Sequence, residues 1–187
     1  ETAPKMPLSP YGVSKFTGEL YLNYYQQVHG LEYVALRYSN VYGPRQDPHG
    51  EAGVVAIFSR KLLVQEQLII FGDGEQTRDY VYVGDVAAAN LLASEIDLDA
   101  RGQLDDHAFN VGTGIGTSVN RLANVLELIA GTDLGREHKS ARLGELRHSA
   151  LNADKLRALG WTPGSTLEQG LQETYTFIER EMVGVTE

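Results

Sequence analysis

A chain of 187 residues, 42% hydrophobic and 22% charged, is long enough to bury a globular core. Sixteen basic against 25 acidic residues leave a net charge of −9, which argues against a nucleic-acid surface, and no apolar run is long enough to span a bilayer. The absence of cysteine excludes disulfides, thiol nucleophiles and cysteine metal sites, which makes the cytoplasm the expected compartment. None of the five histidines pairs with another at i,i+4, so no metal site is expected.

Residues 1–10, with Pro4, Pro7 and Pro10, read as a loop, and a chain opening on such a loop is expected to begin inside something larger. Ser9 is a candidate cap and Pro10 a first-turn proline for a helix running to His29 and closed by Gly30. Residues 31–38 alternate and are β-rich, so they predict a strand. Residues 39–52 read as a long loop, of a length that in compact domains is often functional. A helix over 54–64, a strand over 67–71, a turn over 72–77 and a strand over 80–83 follow. Asp85 is expected to cap a helix ending near Ile96, and residues 108–111 read as a strand. Ser118 is expected to cap a helix striped by Leu122, Val125, Leu126 and Ile129. Helices over 152–159 and 166–180 complete the chain, the second opened by a Thr166/Gln169 capping box. Strands alternating with helices predict an α/β fold.

Tyr11 and Lys15 lie four apart on the first helix, on one face and about 6 Å apart along the axis. A tyrosine hydroxyl titrates at about 10 and is a poor base at neutral pH, but a nearby ammonium favours the phenolate. Such a pair can take a proton from a sugar hydroxyl while hydride leaves the same carbon. Only one of the ten tyrosines has a lysine four residues later, yet the pair alone is also compatible with a surface aromatic–lysine contact. The run NVGTGIGTS (110–118) imitates a dinucleotide fingerprint, but its sixth place is Thr117 where glycine is needed, and no strand-ending acid follows at the required distance. A tight loop capped by Thr117 or Ser118 is the better reading.

Five ordered motifs, PYGVSKFTGELY (10–21), RYSNVYGPRQDP (37–48), GDGEQTRDYVYVGDVA (72–87), FNVGTG (109–114) and RLGEL (142–146), cover nearly the whole chain. In order and spacing they resemble the extended short-chain dehydrogenase/reductase family, the NAD-dependent epimerases and dehydratases, with wording most like UDP-glucose 4-epimerases. The resemblance implies the C-terminal part of a Rossmann-type doubly wound fold plus a smaller mixed α/β substrate-binding domain. Residues 1–50 would be the tail of the NAD-binding domain. Residues 51–187 would be mainly the nucleotide-sugar-binding region, with some elements returning to the Rossmann core.

The same resemblance implies the site residues. Tyr11 would be the catalytic acid/base, Lys15 its electrostatic partner and ribose ligand, and Tyr38 a neighbour of the nicotinamide. Asn40, Arg78 and Arg142 would hold the substrate diphosphate, arginine being suited to it by its two-pronged donation. Ala52, Gly53 and Val54 would form the helix start facing the nucleotide, Phe71 would pack near the base, and Tyr80 and Glu145 would line the substrate site. Ser149 stands where a bulky tyrosine can restrict the sugar pocket, which would leave room here for N-acetylated sugars. The implied cofactor is NAD, the implied partner a UDP-sugar, and the implied assembly a homodimer through the helix that bears Leu20, Tyr21, Tyr24 and Tyr25. The family's Gly-rich cofactor loop is expected to lie outside these residues, so the chain alone is expected not to turn over. Other nucleotide-sugar dehydratases or decarboxylases of the family, or a non-catalytic nucleotide-sugar-binding module, are the alternatives.

Overall fold

The computed structural model describes residues 1–47, 53–98, 102–142 and 144–184. Among them are six helices and eight short strands. Helix α1 spans Pro10–His29. The Ser9 side chain accepts from the Gly12 amide at 3.1 Å, and Gly30 closes the helix at φ +68, a left-handed turn that glycine adopts without strain. Strands β1 (Ala35–Tyr38) and β5 (Ala108–Val111) form a two-stranded parallel sheet. A kink at Ser39 separates β1 from β2 (Asn40–Tyr42), within a stretch expected to be loop.

β4 (Thr77–Tyr82) is the axis of the mixed sheet. Its second half pairs in parallel with β2. Its first half is flanked by β6 (Gly116–Ser118), antiparallel, and by β8 (His148–Ser149), parallel. β3 (Leu68–Phe71) pairs with β7 (Arg136–Lys139). Neither β7 nor β8 is expected from the sequence: Arg-Glu-His-Lys and His-Ser carry no apolar alternation, and each strand pairs on one side only.

The first core cluster is built where α2 (Val54–Leu63), α4 (Val119–Ala130) and α6 (Leu167–Gly184) pack together. Each contributes to it on one face: Val55, Phe58 and Leu62; Leu122, Val125 and Leu126; Leu171 and Tyr175. Burying each such side chain stabilises the fold by roughly 1.5–3 kcal/mol. Gly170 is obligatory, because a Cβ there would lie 2.3 Å from the Tyr42 hydroxyl oxygen. Thr166 and Gln169 exchange the two bonds of the expected capping box, at 2.9 and 3.2 Å.

The second cluster joins Val81, Val86, Phe109, Val111, Leu156 and Trp161, with Leu36 and Val41 against it. It takes in α3 (Val83–Ala93) and the one-turn α5 (Asp154–Arg157). Asp85 does not cap α3. The helix begins two residues earlier, and the buried Asp85 carboxylate instead accepts from the Gly164 and Ser165 amides at 2.8 and 3.3 Å. The Trp161 indole adds a bond to the Asp85 carbonyl at 3.0 Å, so this residue ties α3 to the approach of α6.

Helix α1 lies at the margin of the fold, and Gln26 is its single buried residue. Two polar contacts among the described residues hold it. Arg37 of β1 donates two bonds to the Glu19 carboxylate, at 2.8 and 2.5 Å, and the Gln26 amide nitrogen lies 2.9 Å from Nε2 of the buried His107. Leu20, Tyr21, Tyr24 and Tyr25 are between 47% and 63% exposed, an apolar row that no described residue covers. Among the described residues no helix is long and apolar enough to cross a membrane.

Candidate functional site

Alternation on two strands sets up the site. On β3, Leu68 and Ile70 turn into the core, so Ile69 and Phe71 share the opposite face. On β4, Arg78 and Tyr80 likewise share a face. These side chains line an open cavity of about 480 Å³, together with Asn40, Gly53, Val54, Arg142 and Glu145. Residues expected to touch the nucleotide thus converge from five segments of the chain. The start of α2 at the cavity wall adds the favourable end of a helix dipole. Ala52 lies outside the described residues. Ser149 is paired opposite Arg78 in the β4–β8 ladder but is not among the lining residues.

The geometry of the charged groups is specific. One Arg78 amino group donates to the Thr77 and Leu146 carbonyls, both at 2.8 Å, and the other to Glu145 Oε1 at 3.1 Å. The Arg142 guanidinium carbon sits 4.1 Å from the centre of the Phe71 ring. Asp73 takes a two-pronged bond from Arg147, at 2.6 and 2.8 Å, which holds its carboxyl well below the usual range and fastens the 72–77 turn to the segment bearing Glu145. Burial pushes the Tyr80 phenol up to about 12, with Arg78 acting against the shift, so this hydroxyl is a neutral wall group. Ile57, Phe58, Lys61, Ile70, Gln76 and Val119 complete the lining. Sequence reasoning missed them, although strand alternation alone would have added Ile69 once Phe71 was named.

Asp79 points the other way from Arg78 and is 1% exposed. Its carboxylate accepts from the Thr113 amide (2.9 Å), the Thr113 hydroxyl (2.6 Å), the Gly114 amide (3.0 Å) and the Leu151 amide (3.2 Å). The glycine loop 112–114 therefore spends its Thr113 and Gly114 N–H groups on an internal carboxylate rather than offering them to a phosphate. At Gly112 a Cβ would lie 2.5 Å from an Asp79 oxygen.

The Tyr11–Lys15 pair stands apart from this cavity. Tyr11 is 71% exposed, and the Lys15 ammonium lies 5.3 Å from the centre of its ring, side by side on the helix face as the spacing requires. Lys15 lines a separate hollow of about 380 Å³ with Gly12, Phe16 and Arg37. Tyr38 donates to Asn90 at 3.0 Å and lines a third hollow, between α1, β1 and α3. The latter is as large as the arginine-lined cavity, about 480 Å³, but none of the residues expected to hold the nucleotide lines it. The turn from β1 to β2 carries the chain from Tyr38 to Asn40, from one group of residues to the other. Among the described residues no three His, Asp or Glu side chains are placed to hold a metal ion.

The chain is similar to known proteins along nearly its whole length. Residues 1–112 match the model of the NAD dependent epimerase/dehydratase family. The UDP-glucose 4-epimerase of Mycolicibacterium smegmatis is 44% identical over 182 residues, covering 97% of this chain and 56% of that protein. The structure of UDP-glucose 4-epimerase from Thermotoga maritima with UDP-glucose superposes with a TM-score of 0.88 at 48% identity, covering 95% of this chain and 55% of that one. UDP-N-acetylglucosamine 4-epimerase from Methanobrevibacter ruminantium, with UDP-N-acetylmuramic acid, gives a TM-score of 0.90 at 35% identity, covering 97% of this chain and 57% of that one. The chain thus spans little more than half the length of these relatives. With its α/β fold, five ordered motifs and this similarity along nearly its whole length, the chain belongs to the NAD-dependent epimerase/dehydratase family.

Proposed function

We propose that this chain is the nucleotide-gripping part of a UDP-sugar 4-epimerase, with UDP-glucose and UDP-galactose as the substrate pair. The observation that carries the proposal is the convergence of Arg78, Arg142, Asn40, Phe71 and the start of α2 on one cavity of an otherwise acidic protein. Two guanidinium groups suit a diphosphate, and the Ile69/Phe71/Val119 wall suits a flat base. The mixed sheet and the first core cluster support the assignment of a substrate-binding region to residues 51–187, with β1, β5 and the second cluster on the Rossmann side.

The residues that this chain offers to NAD are Tyr11, Lys15 and Tyr38, and they fit only the nicotinamide–ribose end. The exposed Tyr–Lys face leaves room for that end, whereas the 112–114 loop, already filled by Asp79, cannot cradle the pyrophosphate. When bound, NAD supplies a hydride acceptor and then a hydride donor. Tyr11 takes the proton of the sugar 4-hydroxyl and returns it at the end of the cycle. Lys15 supplies a positive charge beside the Tyr11 ring. The arginines hold the unreactive nucleotide end, so the 4-keto sugar is free to turn. The Leu20/Tyr21/Tyr24/Tyr25 row is proposed as a homodimer surface.

Turnover is the direct test. In the whole protein carrying these residues, Tyr11→Phe is expected to lower UDP-galactose epimerisation by about 10²–10⁴-fold with nucleotide binding retained. Full activity in that variant would rule out Tyr11 as the acid/base. Ser149, beside Arg78, is proposed to leave room for an N-acetyl group. Ser149→Tyr is expected to weaken UDP-N-acetylglucosamine binding more than UDP-glucose binding, and an unchanged affinity ratio would sink that assignment.

A further inference from the structure

Both arginines of the cavity already have internal partners, and Lys61, the third cation in its lining, pairs with Glu66 at 2.8 Å. Arg78 donates to the Glu145 carboxylate at 3.1 Å, and the Arg142 guanidinium covers Phe71 at 4.1 Å. Glu145 and Arg142 are joined by a backbone bond from the Glu145 amide to the Arg142 carbonyl, 3.4 Å, with Gly144 between them at φ +76. One short turn therefore places an anion where a phosphate would lie and a planar cation where a base would stack. The Arg78 and Glu145 side chains are only 17% and 30% exposed, so their pairing is less screened than a fully solvated one.

We propose that Glu145 is an internal counter-anion that sets the affinity threshold of this site, admitting nucleoside diphosphates while keeping small inorganic anions out. The proposal rests on the nucleotide-binding reading of the cavity. A carboxylate tethered by one turn acts at a high effective concentration, and any entering anion must displace it from Arg78. Pyrophosphate has nothing beyond its charge to offset that displacement. A nucleoside diphosphate also buries a base against Ile69, Phe71 and Val119, displacing Arg142 from the ring and recruiting its guanidinium. The internal pair thus lowers affinity for every anion, and only ligands with an apolar part remain bound at modest concentration.

The test is a calorimetric titration of the full chain with inorganic pyrophosphate at low salt. Glu145→Gln is expected to tighten pyrophosphate binding on the order of tenfold, while Glu145→Asp, which keeps the charge, stays within a few-fold of the parent. In an Arg78→Ala background, Glu145→Gln is expected to change nothing. Melting curves of each variant confirm that a folded protein is compared. Pyrophosphate binding that is unchanged or weakened by Glu145→Gln, or tightened equally without Arg78, overturns the proposal. A UDP titration of the parent chain separates the two ideas. If UDP binds no better than pyrophosphate, the nucleotide reading fails, while the pyrophosphate series still decides whether Glu145 competes for Arg78.

Discussion

Replacing Arg78 with alanine is expected to abolish measurable UDP binding at concentrations that saturate the parent chain, a loss of roughly 10²-fold or more. Arg78 is the one cation of the cavity fixed by three directed bonds, to the Thr77 and Leu146 carbonyls and to Glu145. Its guanidinium is therefore held in place before a ligand arrives, so less ordering entropy opposes binding. Hydrogen bonds to charged groups are worth about 1.5–3 kcal/mol each, and a diphosphate can accept two. Arg78→Lys is expected to fall in between, since a point charge replaces the fork. The Leu146 carbonyl also loses its donor, so the melting temperature is measured alongside. A folded Arg78→Ala chain that binds UDP as the parent does would show that the nucleotide sits elsewhere.

The largest effect on stability is expected at Asp79. Its carboxylate is 1% exposed and accepts four hydrogen bonds that join β4, the 112–114 loop and the segment at Leu151. Asp79→Ala removes the acceptor of four part-buried hydrogen bonds, and deletions of this kind cost about 3–5 kcal/mol. The isosteric Asp79→Asn is also expected to destabilise, because an NH₂ group must then face an N–H. Denaturant midpoints at constant slope check both variants. Because Arg78 and Tyr80 flank Asp79 on the same strand, any folded fraction of these variants is expected to bind UDP more weakly. A midpoint within experimental scatter of the parent would show that water or a shifted loop satisfies those donors.

The local signals in the sequence were those with local causes. Ser9, Pro10 and Gly30 delimit α1 because caps act within one turn, and the Thr166/Gln169 box opens α6 for the same reason. The Ser118 cap and the stripe of α4 were legible likewise. Asp85 shows where such reasoning stops. A carboxylate near a helix start looks like a cap, but its partners at 164 and 165 lie far along the chain and only the tertiary fold brings them near. The same holds for β7 and β8, which exist because β3 and β4 offer them edges.

The candidate site was legible through family resemblance rather than through spacing. Nothing in the residue types alone links Asn40, Phe71, Arg78 and Arg142, which meet only because β2, β3, β4 and the segment after β7 border one cavity. The glycine loop at 112–114 was set aside as a cofactor cradle on its sixth position. The stronger reason, the Asp79 carboxylate that consumes its amides, could be seen only in three dimensions.

The central claim, that these residues form the nucleotide-gripping part of an NAD-dependent epimerase, is tested most directly by calorimetric titration of the folded chain with UDP, UDP-glucose and NAD⁺ in parallel. The account predicts that UDP and UDP-glucose bind with similar affinity, because the grip is on the nucleotide, and that NAD⁺ shows no saturable binding. A folded chain that binds NAD⁺ but neither uridine nucleotide would contradict it.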